Sequence, residues 1–142
     1  MKKLLLLSLP VLFAVSQAYA EPNMQDGMWE ITSKTEIQGL PPGSMPPNMT
    51  HTMKQCMTKQ DAVPREQVKN PNCKMVNTKV DGNAVTWNMQ CRNKEGIVDS
   101  VGKITYSGST FSGETRMNTS GGGQKMNMVQ KMSGRRIGDC KK

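Results

Sequence analysis

The chain has 142 residues, of which 19 are Lys or Arg and 11 are Asp or Glu, so its formal net charge is +8. With 13 Met, four Cys and only 4% aromatic residues, it has the length of one small basic domain. Large cofactor-binding folds and a second hydrophobic core are excluded by this length, and such a domain gains much from covalent cross-links.

Residues 1–20 have the pattern of a cleavable export signal. A positive start and the mostly apolar run 4–15 precede Ala18-Tyr19-Ala20, a small-x-small cleavage site. The apolar run is well short of the roughly 20 residues that are needed to span hydrocarbon. We therefore expect residues 21–142 to form a single exported, periplasmic β domain that does not span a membrane.

An alternating pattern predicts the first strand of this domain, with apolar residues on one face and charges on the other. The apolar positions are Trp29, Ile31 and Ile37, and the charged positions are Glu30, Lys34 and Glu36. The Pro-rich segment 41–47 lacks the backbone donors of a central strand, so it is predicted to be a loop. It is either a plain connector between strands, or a lid or partner-docking arm beside the methionines and histidine that follow it.

Two thioethers and an imidazole follow this loop at alternate positions, as Met49, His51 and Met53. On a strand these three side chains share one face. Soft thioether and imidazole ligands suit Cu(I), so copper is the one cofactor that the sequence suggests. Two other interpretations of the many Met residues stay open: flexible filling of the core, and the lining of a groove for a peptide or lipid.

A short helix is predicted over Thr58 to Val68. Thr58 and Asp61 have the spacing of an N-terminal capping box, and Pro64 keeps the helix short.

Four Cys in a short exported chain indicate two disulfides. The segment 73–91 is predicted to be a hairpin around the three-residue turn 81–83. If Val80 faces Ala84, then Cys73 faces Cys91 across the open end of the hairpin. We therefore predict the bridge Cys73–Cys91, which leaves Cys56–Cys140 as the second.

A second hairpin is predicted around Gly108-Ser109, with Tyr106 facing Phe111 and Lys103 facing Glu114. A last strand carries Met126, Met128 and Met132 after a glycine-rich loop. Together these elements predict an all-β fold, an antiparallel meander of six or seven strands with one short helix. A curved sheet, a sandwich and a small barrel all fit this pattern.

Basic residues crowd the C-terminal end of the chain. A face of this kind attracts polyanions or lipid headgroups, or it is simply a solvated surface. Nucleic acid is not expected, because the last 30 residues contain no aromatic side chain on which bases could stack. The candidate anion-binding residues are Lys131, Arg135, Arg136, Lys141 and Lys142.

No catalytic pattern stands out. His51 is the only His, and a Gly-x-Ser-x-Gly or Cys-x-x-Cys motif is absent from the sequence, so nucleophilic and thiol redox chemistry have no candidate set. Zinc is disfavoured by the wide Cys spacing. Carboxylates that could converge in space are Asp26, Glu30, Asp99 and Glu114. We expect a protein that is not an enzyme.

A set of ordered motifs gives the chain a family resemblance. The set comprises Gly27, Trp29 and Glu30, the Pro-rich loop, Cys56 with Thr58 and Asp61, Gly82 to Cys91 with Trp87, Tyr106 to Gly113, and the ending Arg136 to Cys140. It resembles domain of unknown function 3617, a family of small exported bacterial proteins. The resemblance implies a periplasmic β protein and no particular activity. The leading hypothesis is a non-catalytic binding or envelope-accessory protein, with its ligand, partner and oligomeric state open.

Overall fold

The structure, a computed structural model, describes residues 21–43, 46, 48–64, 71–123 and 125–141. The expected leader and residues 44, 45 and 47 of the Pro-rich loop lie outside this set. The strands are β1 Gly27–Gln38, β2 Asn48–Met57, β3 Cys73–Asp81, β4 Ala84–Asn93, β5 Gly96–Tyr106, β6 Thr110–Ser120 and β7 Met126–Gly138, with a 3₁₀ turn at Lys59–Ala62.

All seven strands pair antiparallel in one curved, unclosed sheet with the order β2-β1-β7-β6-β5-β4-β3. Strands β3 to β7 form a meander, and the β1–β2 hairpin joins it through β1 and β7. The all-β prediction is therefore confirmed, as a curved sheet. Because β2 and β3 are its two edges, the connection between them has to pass from one edge to the other. Within the described part of the chain, no helix is long and apolar enough to cross a membrane.

Alternation along the strands gives the sheet one apolar and one charged face. We call the apolar side the inner face. Its core consists of the buried side chains Trp29, Val85, Ile104, Tyr106 and Phe111. The ring of Phe111 lies 5.5 Å from that of Trp29 and 5.8 Å from that of Tyr106, measured between centroids. These residues gather at the end of the sheet that holds the β5–β6 turn, which we call the closed end.

Glycines on the inner face let large side chains lie flat across the neighbouring strand. Their register pairs are Trp87 with Gly102, Ile104 with Gly113, and Phe111 with Gly134. A Cβ atom at Gly102 or Gly134 would overlap the facing ring, and one at Gly113 would lie 3.1 Å from Cγ1 of Ile104. Each large residue therefore packs directly on the backbone of the next strand.

A segment outside the sheet, residues 58–63, covers the closed end. It follows β2 and buries Ala62 completely. The Tyr106 hydroxyl donates a hydrogen bond to the Ala62 carbonyl at 2.9 Å. Burial of the Tyr106 ring raises the pKa of its hydroxyl from 10.0 to about 12, and the nearby Asp61 carboxylate adds to this shift.

The N-terminal segment 22–26 packs against the same end, and its Met24 joins the same core cluster as Ala62. Met24 is fully buried, and the backbone on either side of it bonds to Gly108 in the β5–β6 turn. The indole nitrogen of Trp29 donates to the Gln25 carbonyl at 3.0 Å. Asp26 connects this segment to residues 58–63, because its Oδ1 accepts the Lys59 backbone N–H at 2.6 Å.

The predicted register of the β3–β4 hairpin is right at one end and wrong at the other. Cys73 faces Cys91, as predicted, but Val80 faces Val85 instead of Ala84. The turn has two residues, with positive φ only at Gly82, and a bulge at Val76 supplies the extra residue that restores the register.

Both predicted disulfides are confirmed, as Cys73–Cys91 and Cys56–Cys140. The first spans the open end of the β3–β4 hairpin, and the second ties β2 to the segment after β7. Two disulfides fit a protein of an oxidising, exported environment. The β5–β6 register is also confirmed, since Tyr106 faces Phe111.

The predicted helix over Thr58 to Val68 is shorter in the structure. It is a single 3₁₀ turn, after which Val63 and Pro64 are not helical, and residues 65–68 lie outside the described set. The capping residues have the predicted role, because Asp61 Oδ2 accepts the Thr58 backbone N–H at 2.7 Å. Proline at position 64 cannot donate the hydrogen bond that would extend the turn.

We expect Gly134→Ala to lower the free energy of unfolding by about 1–3 kcal/mol, because the new methyl group overlaps Phe111 in a packed core. Ser133→Ala, one residue away on the charged face, is the control and should change it by less than about 0.5 kcal/mol. Urea unfolding measures both. Adding Phe111→Leu to Gly134→Ala should recover part of the loss, and equal stability of the two single variants would contradict the packing described above.

A second prediction concerns pH. Because the folded-state pKa of Tyr106 lies above 10.0, the unfolded chain loses this proton first, so its stabilising contribution is present below pH 10 and is lost as the pH rises toward 12. Tyr106→Phe should remove this alkaline dependence and cost about 1–3 kcal/mol at neutral pH, since the buried Ala62 carbonyl loses its donor. Chemical unfolding from pH 8 to 12 would show parallel curves for the two proteins if this account were wrong.

Candidate functional site

An apolar cavity of about 420 Å³ lies at the other end of the inner face, which we call the open end. Three of the lining residues come from the end of β1, the loop after it and the start of β5. The other four come from the end of β6 and the start of β7. In this order they are Ile37, Leu40, Val98, Met117, Thr119, Met126 and Met128.

Strand register explains why these side chains meet. Met117 faces Met128 across β6 and β7, and Met128 faces Ile37 across β7 and β1. Side chains directly opposite each other on one face lie about 4.5–5.5 Å apart at Cβ. Gly39 lets the chain after β1 approach β7, because a Cβ at this position would lie 2.6 Å from the Lys125 carbonyl oxygen. That approach places Leu40 beside the cavity.

The lining of the cavity is almost entirely apolar. Among the lining residues that the structure describes, Thr119 contributes the one polar side chain, and none of their side chains is fully buried. Three other depressions have lining residues that are mainly polar or charged, and they are more open. The described lining residues therefore offer mainly shape and apolar contact.

The predicted metal ligands lie on the edge strand β2. Met49, His51 and Met53 face Thr35, Ser33 and Ile31 of β1 in the register, so all three lie on the inner face. They are exposed, with fractions of 42% for Met49 and 45% for Met53. The structure thus brings the three together on one face of one strand.

Two of the five residues of the predicted basic surface, Arg135 and Arg136, are paired with carboxylates. Arg135 binds Glu30 through two nitrogen atoms, at 3.0 and 2.7 Å. Arg136 pairs with Asp139 and donates to the Asp26 carbonyl. Lys131 and Lys141 are exposed, and Lys142 lies outside the described residues.

The four carboxylates that could have converged have separate partners. Asp26 accepts the Lys59 backbone N–H, and Glu30 pairs with Arg135. Asp99 accepts from the Gln90 side chain at 2.9 Å, and Glu114 pairs with Arg116 at 2.6 Å. Each of the four carboxylates is therefore engaged by its own neighbour, and the four do not share one site. Among the described residues, three or more His, Cys, Asp or Glu side chains do not gather in a form that could hold a metal ion.

Several lining residues of the cavity were missed by the sequence reasoning. Ile37 was assigned to the inner face of its strand but not to a site, and Met126 and Met128 fitted the core-filler interpretation. Strand register could have identified these residues as a group, because Met117 faces Met128 and Met128 faces Ile37. This grouping requires the strand order, which places β7 between β6 and β1.

Residues 24–140 match the family model described as "Protein of unknown function (DUF3617)". The match covers most of the chain and confirms the resemblance seen in its motifs. No curated protein and no solved structure matches the chain. Its function has to be argued from its own residues.

Proposed function

We propose that this chain, which belongs to the DUF3617 family of proteins of unknown function, is a non-catalytic binding protein of the periplasm. In this proposal it holds a small apolar molecule at the open end of its inner face. The observation that carries the proposal is the apolar cavity of about 420 Å³. Ligand sites of small molecules typically measure about 300–1,000 Å³ and are lined mainly by apolar side chains with few polar groups.

The composition of the lining supports an adaptable site. Met117, Met126 and Met128 supply three of its side chains. Methionine is unbranched and polarisable, so it fits ligands of irregular shape and is common at promiscuous binding surfaces. A cavity lined in this way favours a class of apolar molecules over a single substrate.

The architecture keeps the site apart from the core. Segments 22–26 and 58–63 cover the closed end, where Trp29 and Tyr106 are buried. The open-end side chains are only half-buried, so a bound apolar molecule would remove more of their surface from water. Burial of this kind stabilises a complex by about 25 cal/mol per Å² of apolar surface.

The periplasmic address rests on two features. The leader at residues 1–20 has the pattern of an export signal. Two disulfides join all four cysteines, which fits an oxidising compartment. A soluble apolar-ligand carrier has a clear use there, since water-filled space separates apolar membranes.

Polyanion or lipid-headgroup binding through the basic C-terminal end has weaker support. Two of its candidate residues, Arg135 and Arg136, have carboxylate partners in the fold. An added anion would have to compete with these partners.

The test uses the fluorescent probe N-phenyl-1-naphthylamine, which brightens in apolar sites. We expect saturable binding by the wild type. Met117→Asp, which places a short charged side chain in the cavity, should weaken it at least tenfold, or about 1.4 kcal/mol. Thr119→Phe, which fills the space without adding charge, should weaken it as well.

The matched control is Val101→Asp. Val101 is 53% exposed on the charged face of β5, so the same charge there should leave probe binding unchanged. Far-ultraviolet circular dichroism checks that each variant is folded. Equal affinity of wild type, Met117→Asp and Thr119→Phe would refute the cavity as the binding site.

A further inference from the structure

The two edge strands of the sheet differ in how they are protected against pairing with a further strand. An exposed edge presents a row of unpaired backbone N–H and C=O groups, and natural sheets blunt such edges with charged side chains and bulges. Strand β3 has both devices. It carries Lys74, Lys79 and Asp81, and a bulge at Val76 interrupts its ladder with β4. The edge that β3 forms is therefore poorly suited to pairing.

Strand β2 has a regular edge with little charge. Its ladder with β1 runs unbroken from Met57 to Asn48, and Lys54 carries the one charge among its ten residues. Every residue from Asn48 to Cys56 is exposed. Within the described part of the chain, β1 is the one strand that pairs with β2. The other side of β2 is thus open to an added strand, which is a common mode of protein recognition.

Two apolar side chains lie uncovered along this edge. Met49 and Met53 are 42% and 45% exposed, although they lie on the inner face with the core. Their Cα atoms are about 13 Å apart on the extended strand, so one shared metal ion does not account for both. An added strand would cover them, because facing side chains of neighbouring strands lie about 4.5–5.5 Å apart at Cβ.

A second copy of β2 matches the inner face of this edge in one antiparallel register. In a two-fold pair, each contact between two different residues occurs twice. If His51 faces the partner's His51, then Met49 faces the partner's Met53, and Met53 faces the partner's Met49. The neighbouring register, in which Thr52 faces the partner's Thr52, would place Met49 opposite the partner's Gln55. The methionines therefore favour the register that is centred on His51.

The charged face of β2 is compatible with the same register. Thr50 would face the partner's Thr52, and cross-strand pairs of threonine stabilise sheets. Within the chain Thr52 already shares a hydrogen bond of 3.1 Å with Thr32 of β1. Lys54 would face the partner's Asn48, so the two like charges do not oppose each other.

We propose that the protein forms a homodimer in which the β2 strands of two copies pair antiparallel about His51 and join their sheets into one. Main-chain hydrogen bonds supply the affinity, and the facing methionines supply the register. An interface of one strand pair is small, so the dimer dissociates on dilution. The dimer does not use the apolar cavity, whose lining comes from β1, β5, β6, β7 and the loop after β1.

Sedimentation equilibrium of the mature, disulfide-bonded protein measures the assembly. We expect the wild-type mass to rise with concentration toward that of two chains. Met49→Lys with Met53→Lys places like charges opposite each other across the strand pair, so this variant should keep the mass of one chain. The matched control is Val76→Lys, because Val76 is a 54% exposed apolar residue of the other edge strand. It should assemble as the wild type does.

A mixing experiment separates loss of the interface from loss of the fold. Met49→Glu with Met53→Glu should also keep the mass of one chain when it is alone. An equal mixture of the Lys and Glu variants should form a heterodimer, because opposite charges then face each other, and a misfolded variant could not restore assembly. A mixture that keeps the mass of one chain would count against the facing methionines.

Cross-linking tests the register. Facing residues of antiparallel strands have Cα atoms about 4.5–5.5 Å apart, which suits a disulfide, and the facing pair Cys73 and Cys91 is bridged in this sheet. His51→Cys should therefore give a covalent dimer on mild oxidation, and Thr52→Cys, which faces the partner's Thr50, should not. The proposal would be overturned by a wild type that keeps the mass of one chain, by equal assembly of the wild type and the Lys variant, or by preferential cross-linking of Thr52→Cys.

Discussion

The hydrogen bond from the Tyr106 hydroxyl to the Ala62 carbonyl holds residues 58–63 against the inner face of the sheet, and the arrangement of that face depends on it. The chain has to cross from β2 at one edge of the sheet to β3 at the other, and this bond holds the start of that crossing over the closed end. Asp26 secures it from the N-terminal side through the Lys59 backbone. Residues 58–63 lie over the closed end of the apolar face, and the binding surface that we propose lies at its open end.

The register of the sheet explains how so few aromatic residues build this core. Trp87, Ile104 and Phe111 each lie across a glycine of the next strand, so a small number of large side chains covers much of the closed end. Three methionines line the cavity at the open end, and their flexible thioethers suit the adaptable binding surface that we propose there. Two further methionines, Met49 and Met53, flank His51 on the edge strand β2, and all three side chains are exposed.

Local patterns in the sequence were enough to predict the hairpins and their bridges. The bridge Cys73–Cys91 was predicted from the register of its hairpin. The predicted turn has one residue more than the turn in the structure, and the bulge at Val76 compensates for this difference. The pairing of Tyr106 with Phe111 followed from Gly108-Ser109. Non-local features were beyond reach. The contact of β7 with β1 leaves no local signal, and the cavity depends on it. The Met49, His51 and Met53 row was visible because it needs only the two-residue period of one strand.

The most direct test of the divided inner face uses the methionines themselves. Protein labelled with ¹³C at the methionine methyl groups is titrated with N-phenyl-1-naphthylamine and followed by nuclear magnetic resonance. The account predicts that the signals of Met117, Met126 and Met128 shift, while those of Met24 and Met57 at the closed end stay in place. Saturation of the probe without any shift at the open end, or with shifts centred on Met24 and Met57, would contradict it.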